Sequence, residues 1–167
     1  GGVGMNAGTV VDCVISNYQF SSGSGAWVEG TGKLLRCDIS KCRAGNRTEA
    51  YTGGLGAGIR MSGTALVEDC TVRDCTSSYF PGVGVYVLAG TLKNSRILNN
   101  RMTTTTDGYG NEGLGVYQAG GTVTGCVMAG NLAGNGECED YFASGGTITG
   151  SQSGLYMPGE GNVGREP

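Results

Sequence analysis

Charged side chains recur at related positions in this chain. Asp12, Arg36 and Asp69 each stand one residue before a cysteine, at Cys13, Cys37 and Cys70. Glu68, Asp38 and Arg73 lie close by in the sequence. Gathered on one surface, these groups would form a polar site. Paired in opposite signs, they would form a surface charge ladder worth little per pair. A second candidate is "DGYGNE", Asp107 to Glu112, whose oxygen atoms could hold calcium; the competing reading is a Gly-rich turn. "GTGKLL" at Gly30–Leu35 is not a phosphate loop, because the leading Gly and the following Ser or Thr are missing. "NRT" at Asn46 matches a glycosylation sequon, which matters only in a eukaryotic secretory path. There is no histidine, and the cysteine spacings are not those of zinc sites. No metal and no cofactor is expected, and no catalytic residue is assigned.

The elements that would position these groups follow from one recurring position. It reads Cys13, Cys37, Cys70, Ser95, Cys126 and Ser151, in steps of 24, 33, 25, 31 and 25 residues. Three residues earlier stand Val10, Leu34, Val67, Leu92, Val123 and Ile148. Two residues later stand Ile15, Ile39, Val72, Ile97, Met128 and Ser153. A register held over six repeats at this period means a solenoid. Residues two apart point the same way along a strand, so Cys13 and Ile15 share a face. The step of three from Val10 to Cys13 requires a bend between two short strands. An earlier strand completes each repeat, with inward residues Val3 and Met5, Ala26 and Val28, Ile59 and Met61, Val85 and Val87, Val116 and Gln118, and Tyr141 and Ala143.

No segment has a helical period, and 34 glycines disfavour helix. The expected fold is all-β: a parallel β-helix of about six coils with three short strands each. At a strand spacing of about 4.8 Å, six coils make a rod roughly 30 Å long. A sandwich of antiparallel strands shares the turn spacing but does not account for the register. Asn100 and Asn131, five residues past the repeat position, are placed to stack at a turn and satisfy backbone groups there.

The chain has 167 residues, one domain by length, and a net charge of −3. It lacks the basic footprint of a nucleic-acid binder. No apolar run approaches the roughly 20 residues that span a membrane. Residues 1–151 carry the repeats; residues 152–167 lose them and are expected to be a tail, cap or linker. The chain begins inside a repeat, at "GGVGMNAGT", which points to flanking parts of a longer protein or to another cover for the first coil. Seven cysteines are present. Four lie in the repeat row, Cys42 and Cys75 share a second row, and Cys138 stands alone. They serve either as small buried apolar groups or as disulfides between adjacent coils.

Segments such as "GLGVYQAGGTVTGCVMAGN" and "GVGVYVLAGTLKNSRILNN" resemble right-handed parallel β-helix proteins of the pectin-lyase-like class. They also look like the long β-helix surface proteins of bacteria, including the polymorphic outer-membrane proteins. The resemblance covers roughly residues 1–151. It implies an extracellular or cell-surface setting. Enzymes of this class act on acidic polysaccharides with clustered carboxylates, often with calcium, and an Arg or Lys base.

One outward row is the strongest binding candidate. Gly4, Trp27, Arg60, Tyr86, Tyr117 and Phe142 lie between the inward residues of the first strands, so they face out. An exposed stripe of this kind usually contacts something. Aromatic faces stack on sugar rings, and Arg adds charge and hydrogen bonds. Three readings stand open: cover by loops such as Arg43–Ala57 and Arg101–Glu112, a protein interface, or a glycan surface. The two loops carry Arg47, Tyr51, Asp107 and Tyr109. The functional expectation is a structural or adhesive segment of a bacterial surface protein; the alternative is a polysaccharide-active enzyme or an inactive glycan-binding relative.

Overall fold

The computed structural model describes residues 2–20, 24–45, 56–104, 112–154 and 160–163. Every regular element among them is a β-strand of two or three residues. The first sheet stacks Val3–Met5, Ala26–Val28, Ile59–Met61, Val85–Val87, Val116–Gln118 and Tyr141–Ala143 in that order. The second stacks Thr9–Val11, Lys33–Leu35, Leu66–Glu68, Thr91–Lys93, Thr122–Thr124 and Thr147–Thr149. The third runs from Val14–Ser16 through Asp38–Ser40, Thr71–Arg73, Arg96–Leu98 and Val127–Ala129 to Gln152–Ser153. All pairs between these strands are parallel and in the register that the repeat predicts, for example Val10 beside Leu34 and Val67 beside Leu92. This is a parallel β-helix of six coils.

A fourth, smaller sheet was not anticipated. Gln19–Phe20, Arg43–Ala44, Thr76–Ser77 and Arg101–Met102 pair in parallel across the first four coils. Strands of two residues have no alternation to betray them.

Between the second and third sheets the chain turns through a left-handed residue in every coil. Asp12, Arg36, Asp69 and Asn94 have φ of 53°, 51°, 54° and 48°, and Gly125 and Gly150 follow at 63° and 58°. Asp and Asn tolerate this conformation because a short polar side chain bonds locally. Arg36 has no such help.

Each bend lifts backbone amides out of the strand ladder, and the repeat row recovers them. Cys70 donates its amide to Ser95 Oγ at 3.1 Å, and Cys126 donates to Ser151 Oγ at 3.1 Å. The same side chains donate to the carbonyl two residues back, as Cys70 Sγ does to Glu68 and Ser95 Oγ to Lys93. The row therefore needs a small side chain that donates and accepts, which Cys and Ser both provide. At the next bend the expected asparagine stack is present. Asn100 Oδ1 accepts from the Cys75 amide at 3.0 Å, and Asn131 Oδ1 accepts from the Asn100 amide at 3.0 Å. Their Nδ2 groups donate to Val72 and Ile97 carbonyls.

Two further members come from outside the repeat frame. Asp140 Oδ1 accepts from the Asn131 amide and side chain, at 2.9 and 2.7 Å. Asn162 Oδ1 accepts from the Ser151 amide at 2.8 Å, and Val163 pairs in parallel with Gln152. Glu160–Val163 thus lie on the last coil.

The core is a stack of single-residue rows. Leu34, Ile39, Ile59, Met61, Leu92 and Ile97 have no exposed surface. Gln118, the polar member of its row, is satisfied by Gly121 and Thr147 carbonyls and by the Tyr141 hydroxyl. Val3, Met5 and Val10 are only half-buried, and Cys13 and Ala143 are exposed. Among the described residues these coils have a stacked neighbour on one side only.

All seven cysteines are free thiols. Burial pushes the Cys70 and Cys126 thiols up to about 11. Cys42 and Cys75 bond to each other across adjacent coils, which lowers the first and raises the second.

Two outcomes follow from this core. Cys70→Ser should cost less than about 1.5 kcal/mol, since Ser retains both hydrogen bonds and nearly the same volume. Val67→Asp should abolish folding, because it buries an unpaired charge in a fully enclosed row; urea melts of the two variants would show this contrast. In native protein, thiol labelling should reach exposed Cys13 first and leave the buried row intact, whereas denaturation without reductant should release all seven. The folded Cys70 and Cys126 thiols hold their protons to higher pH than unfolded ones. Their contribution to stability should therefore be constant below about pH 8 and fall as pH rises from about 9 to about 11, read as a melting temperature that declines over that interval.

Candidate functional site

The predicted polar cluster resolves into ion pairs, three between neighbouring coils and one, Arg73–Asp74, between chain neighbours. Arg36 grips the Asp12 carboxylate with Nε and Nη2 at 2.8 and 2.9 Å. Arg73 bonds Asp38 at 3.1 Å and Asp74 at 3.0 Å, and Lys93 meets Glu68 at 2.8 Å. The bond to Arg36 holds the Asp12 carboxyl below its ordinary range and raises Arg36 in turn. These pairs lie on the outer surface, where solvent weakens them. They form a charge ladder, and the carboxylates face basic partners.

The stripe residues stack in the expected register, but Tyr86 is buried rather than exposed. The register sets Gly4 beside Trp27, Trp27 beside Arg60, Arg60 beside Tyr86, Tyr86 beside Tyr117 and Tyr117 beside Phe142. Parallel pairing sets identical strand positions one above the other, so side chains on one face must meet. The Arg60 guanidinium lies 4.9 Å from the centre of the Trp27 ring, within cation–π range. Tyr86 and Tyr117 stack at 5.1 Å with planes 7° apart, and Phe142 follows at 5.2 Å, tilted by 32°.

Exposure changes along the row. Trp27 is 39% exposed, whereas Tyr86 is only 9% exposed. Tyr86 is stacked on Tyr117, and backbone packs close to the base of these side chains. Gly56, Gly82 and Gly113 each stand three residues before a first strand, with φ of 84°, 62° and 54°. A Cβ on Gly82 would lie 3.0 Å from that of Tyr117, and one on Gly113 would lie 3.0 Å from that of Phe142. Gly56 approaches Tyr86 in the same way. Burial raises the Tyr86 hydroxyl, Tyr117 adds to this, and Arg60 opposes it. Most of the two long insertions that could cover the stripe, residues 46–55 and 105–111, lies outside the described residues. Asn46, Arg47 and Tyr51, and Asp107 and Tyr109 of the calcium candidate, lie outside the described residues; Glu112 is exposed.

Near Trp27 the row opens into a hollow of about 300 Å³, lined by Gly4, Met5, Asn6, Trp27 and Glu29. The sequence pattern did not single out Asn6 or Glu29. Their positions just past the first strands are the signal that was available. Ser62 Oγ donates to Glu29 Oε1 at 3.2 Å and fixes that carboxylate. Among the described residues, no group of three or more His, Cys, Asp or Glu side chains is placed to hold a metal ion. No helix among the described residues is long and apolar enough to cross a membrane.

The uneven exposure predicts uneven costs. Tyr86→Ala should lose about 3 kcal/mol, as buried aromatic truncations do. Trp27→Ala should lose less than half of that. Chemical denaturation of the two single variants measures the difference, and equal losses would mean that the cover extends over Trp27 as well.

In comparison with known families, a family model described as a right handed beta helix region matches residues 1–159. No curated protein and no solved structure matches the chain.

Proposed function

Since the chain belongs to the right-handed beta helix family, we propose that it is a structural and adhesive rod, a segment of a bacterial extracellular or cell-surface protein that presents one lateral face for binding. The observation that carries this reading is the continuous stacked row of Trp27, Arg60, Tyr86, Tyr117 and Phe142 over five coils. A β-helix needs nothing large on its outer face, because the inward rows alone make the core. Planar groups placed there in register, and in ring contact with one another, form a rigid platform with little entropy left to lose on binding. Such platforms suit sugar rings and the aromatic or apolar faces of protein partners. Polysaccharide cleavage is the weaker reading, because the candidate carboxylates Asp12, Asp38 and Glu68 are engaged by Arg36, Arg73 and Lys93.

The test is a binding screen of the purified protein against surface glycans and surface-protein extracts, with Trp27→Ala/Tyr117→Ala as control. The double variant should keep its parallel-β circular dichroism and lose at least tenfold in affinity. Unchanged binding by the variant would remove the stripe from the function. Release of unsaturated uronides from pectin or alginate would replace the adhesive reading with an enzymatic one.

A further inference from the structure

Resting on the stripe as the binding face, we infer that the hollow at Trp27 is a subsite for one uncharged pyranose ring of a neutral polysaccharide. Four observations define it. Trp27 has Arg60 on one side in the register and Gly4 on the other. Arg60 packs over the indole. Gly4 brings no side chain, and a Cβ there would meet nothing within 4 Å. The stripe is thus interrupted at the one coil where an open indole results. The hollow, about 300 Å³, is a shallow, open depression, of the kind a single ring can lie against.

The polar groups decide the chemistry. Glu29 lines the hollow as a carboxylate already oriented by Ser62. Asn6 lines it from the neighbouring turn, its side chain and carbonyl packed on Gly30. Thr31 donates its amide to the Asn6 carbonyl at 3.0 Å, which fixes that turn. An indole face beside a fixed carboxylate and an amide matches a pyranose: axial C–H groups lie on the ring, and hydroxyls donate to Glu29 and exchange hydrogen bonds with Asn6. A uronate would bring its carboxylate against that of Glu29, at a distance where like charges repel. The Arg60 cation already lies on Trp27, so a second cation on the same indole would be opposed by it. An uncharged ring avoids both conflicts. Glu29 therefore acts as the residue that sets specificity against acidic glycans.

Affinity electrophoresis of the full chain through gels carrying xylan, glucomannan, galactan or polygalacturonate tests this. Retardation is expected in at least one neutral gel and not in polygalacturonate. Gly4→Phe should extend the aromatic stack into the hollow, keep or raise the melting temperature, and abolish the retardation. Glu29→Gln should keep neutral binding within a few-fold and admit polygalacturonate. Should Gly4→Phe fail to fold, Trp27→Ala with an unchanged dichroism spectrum serves as the blocking variant. The subsite is overturned if no neutral gel retards the protein, if polygalacturonate alone does, or if the blocked variant binds as before. Neutral binding that survives Gly4→Phe but is lost in Tyr117→Ala would overturn the subsite and leave the stripe standing as the binding face.

Discussion

The whole molecule depends on how its bends treat backbone amides. A coil closes only by leaving the strand conformation, and at the repeat and asparagine positions that departure leaves an amide that the backbone ladder does not take up. Buried and unpaired, each would cost on the order of 1–3 kcal/mol. The side chain of the next coil supplies the acceptor, as Ser95 does for Cys70 and Asn100 for Cys75. This bond holds only if the coils are in register. The same register then sets apolar rows over apolar rows inside and charged or aromatic rows outside. The core, the ion pairs and the stripe are consequences of one alignment.

The alignment was legible because strands impose a period of two and the bend a step of three. From Val10, Cys13 and Ile15 the inward rows of the second and third sheets follow, and the structure pairs them so. The asparagine stack was legible for the same reason, since Asn100 and Asn131 keep the frame. What escaped the sequence lies off the frame. Asp140 and Asn162 finish two ladders from positions that no repeat count reaches. The two-residue strands of the fourth sheet are too short to show a pattern.

The site was legible in direction but not in depth. Alternation alone places Trp27, Tyr86 and Tyr117 on the outside. The backbone of Gly56, Gly82 and Gly113 packs against the Cβ atoms of Tyr86, Tyr117 and Phe142, and that close approach leaves no side-chain signal. Charge pairing was half visible. The Asp12 and Arg36 row can be read from the repeat, whereas Arg73 reaches Asp38 diagonally, from the third residue of one strand to the first of the next. Length of side chain, rather than register, made that bond.

The amide bonds accepted by the asparagine row all run one way. Cys75 gives to Asn100, Asn100 gives to Asn131, and Asn131 gives to Asp140. The stack is therefore a one-way relay with a chemical head and tail. Any middle coil can be copied, and the copy will both give and receive. The final acceptor is different in kind: Asp140 is a carboxylate, which takes bonds and has none to pass on. In such a rod, length can vary by duplication of interior coils, while the residue that receives last must be preserved as a terminus of the relay.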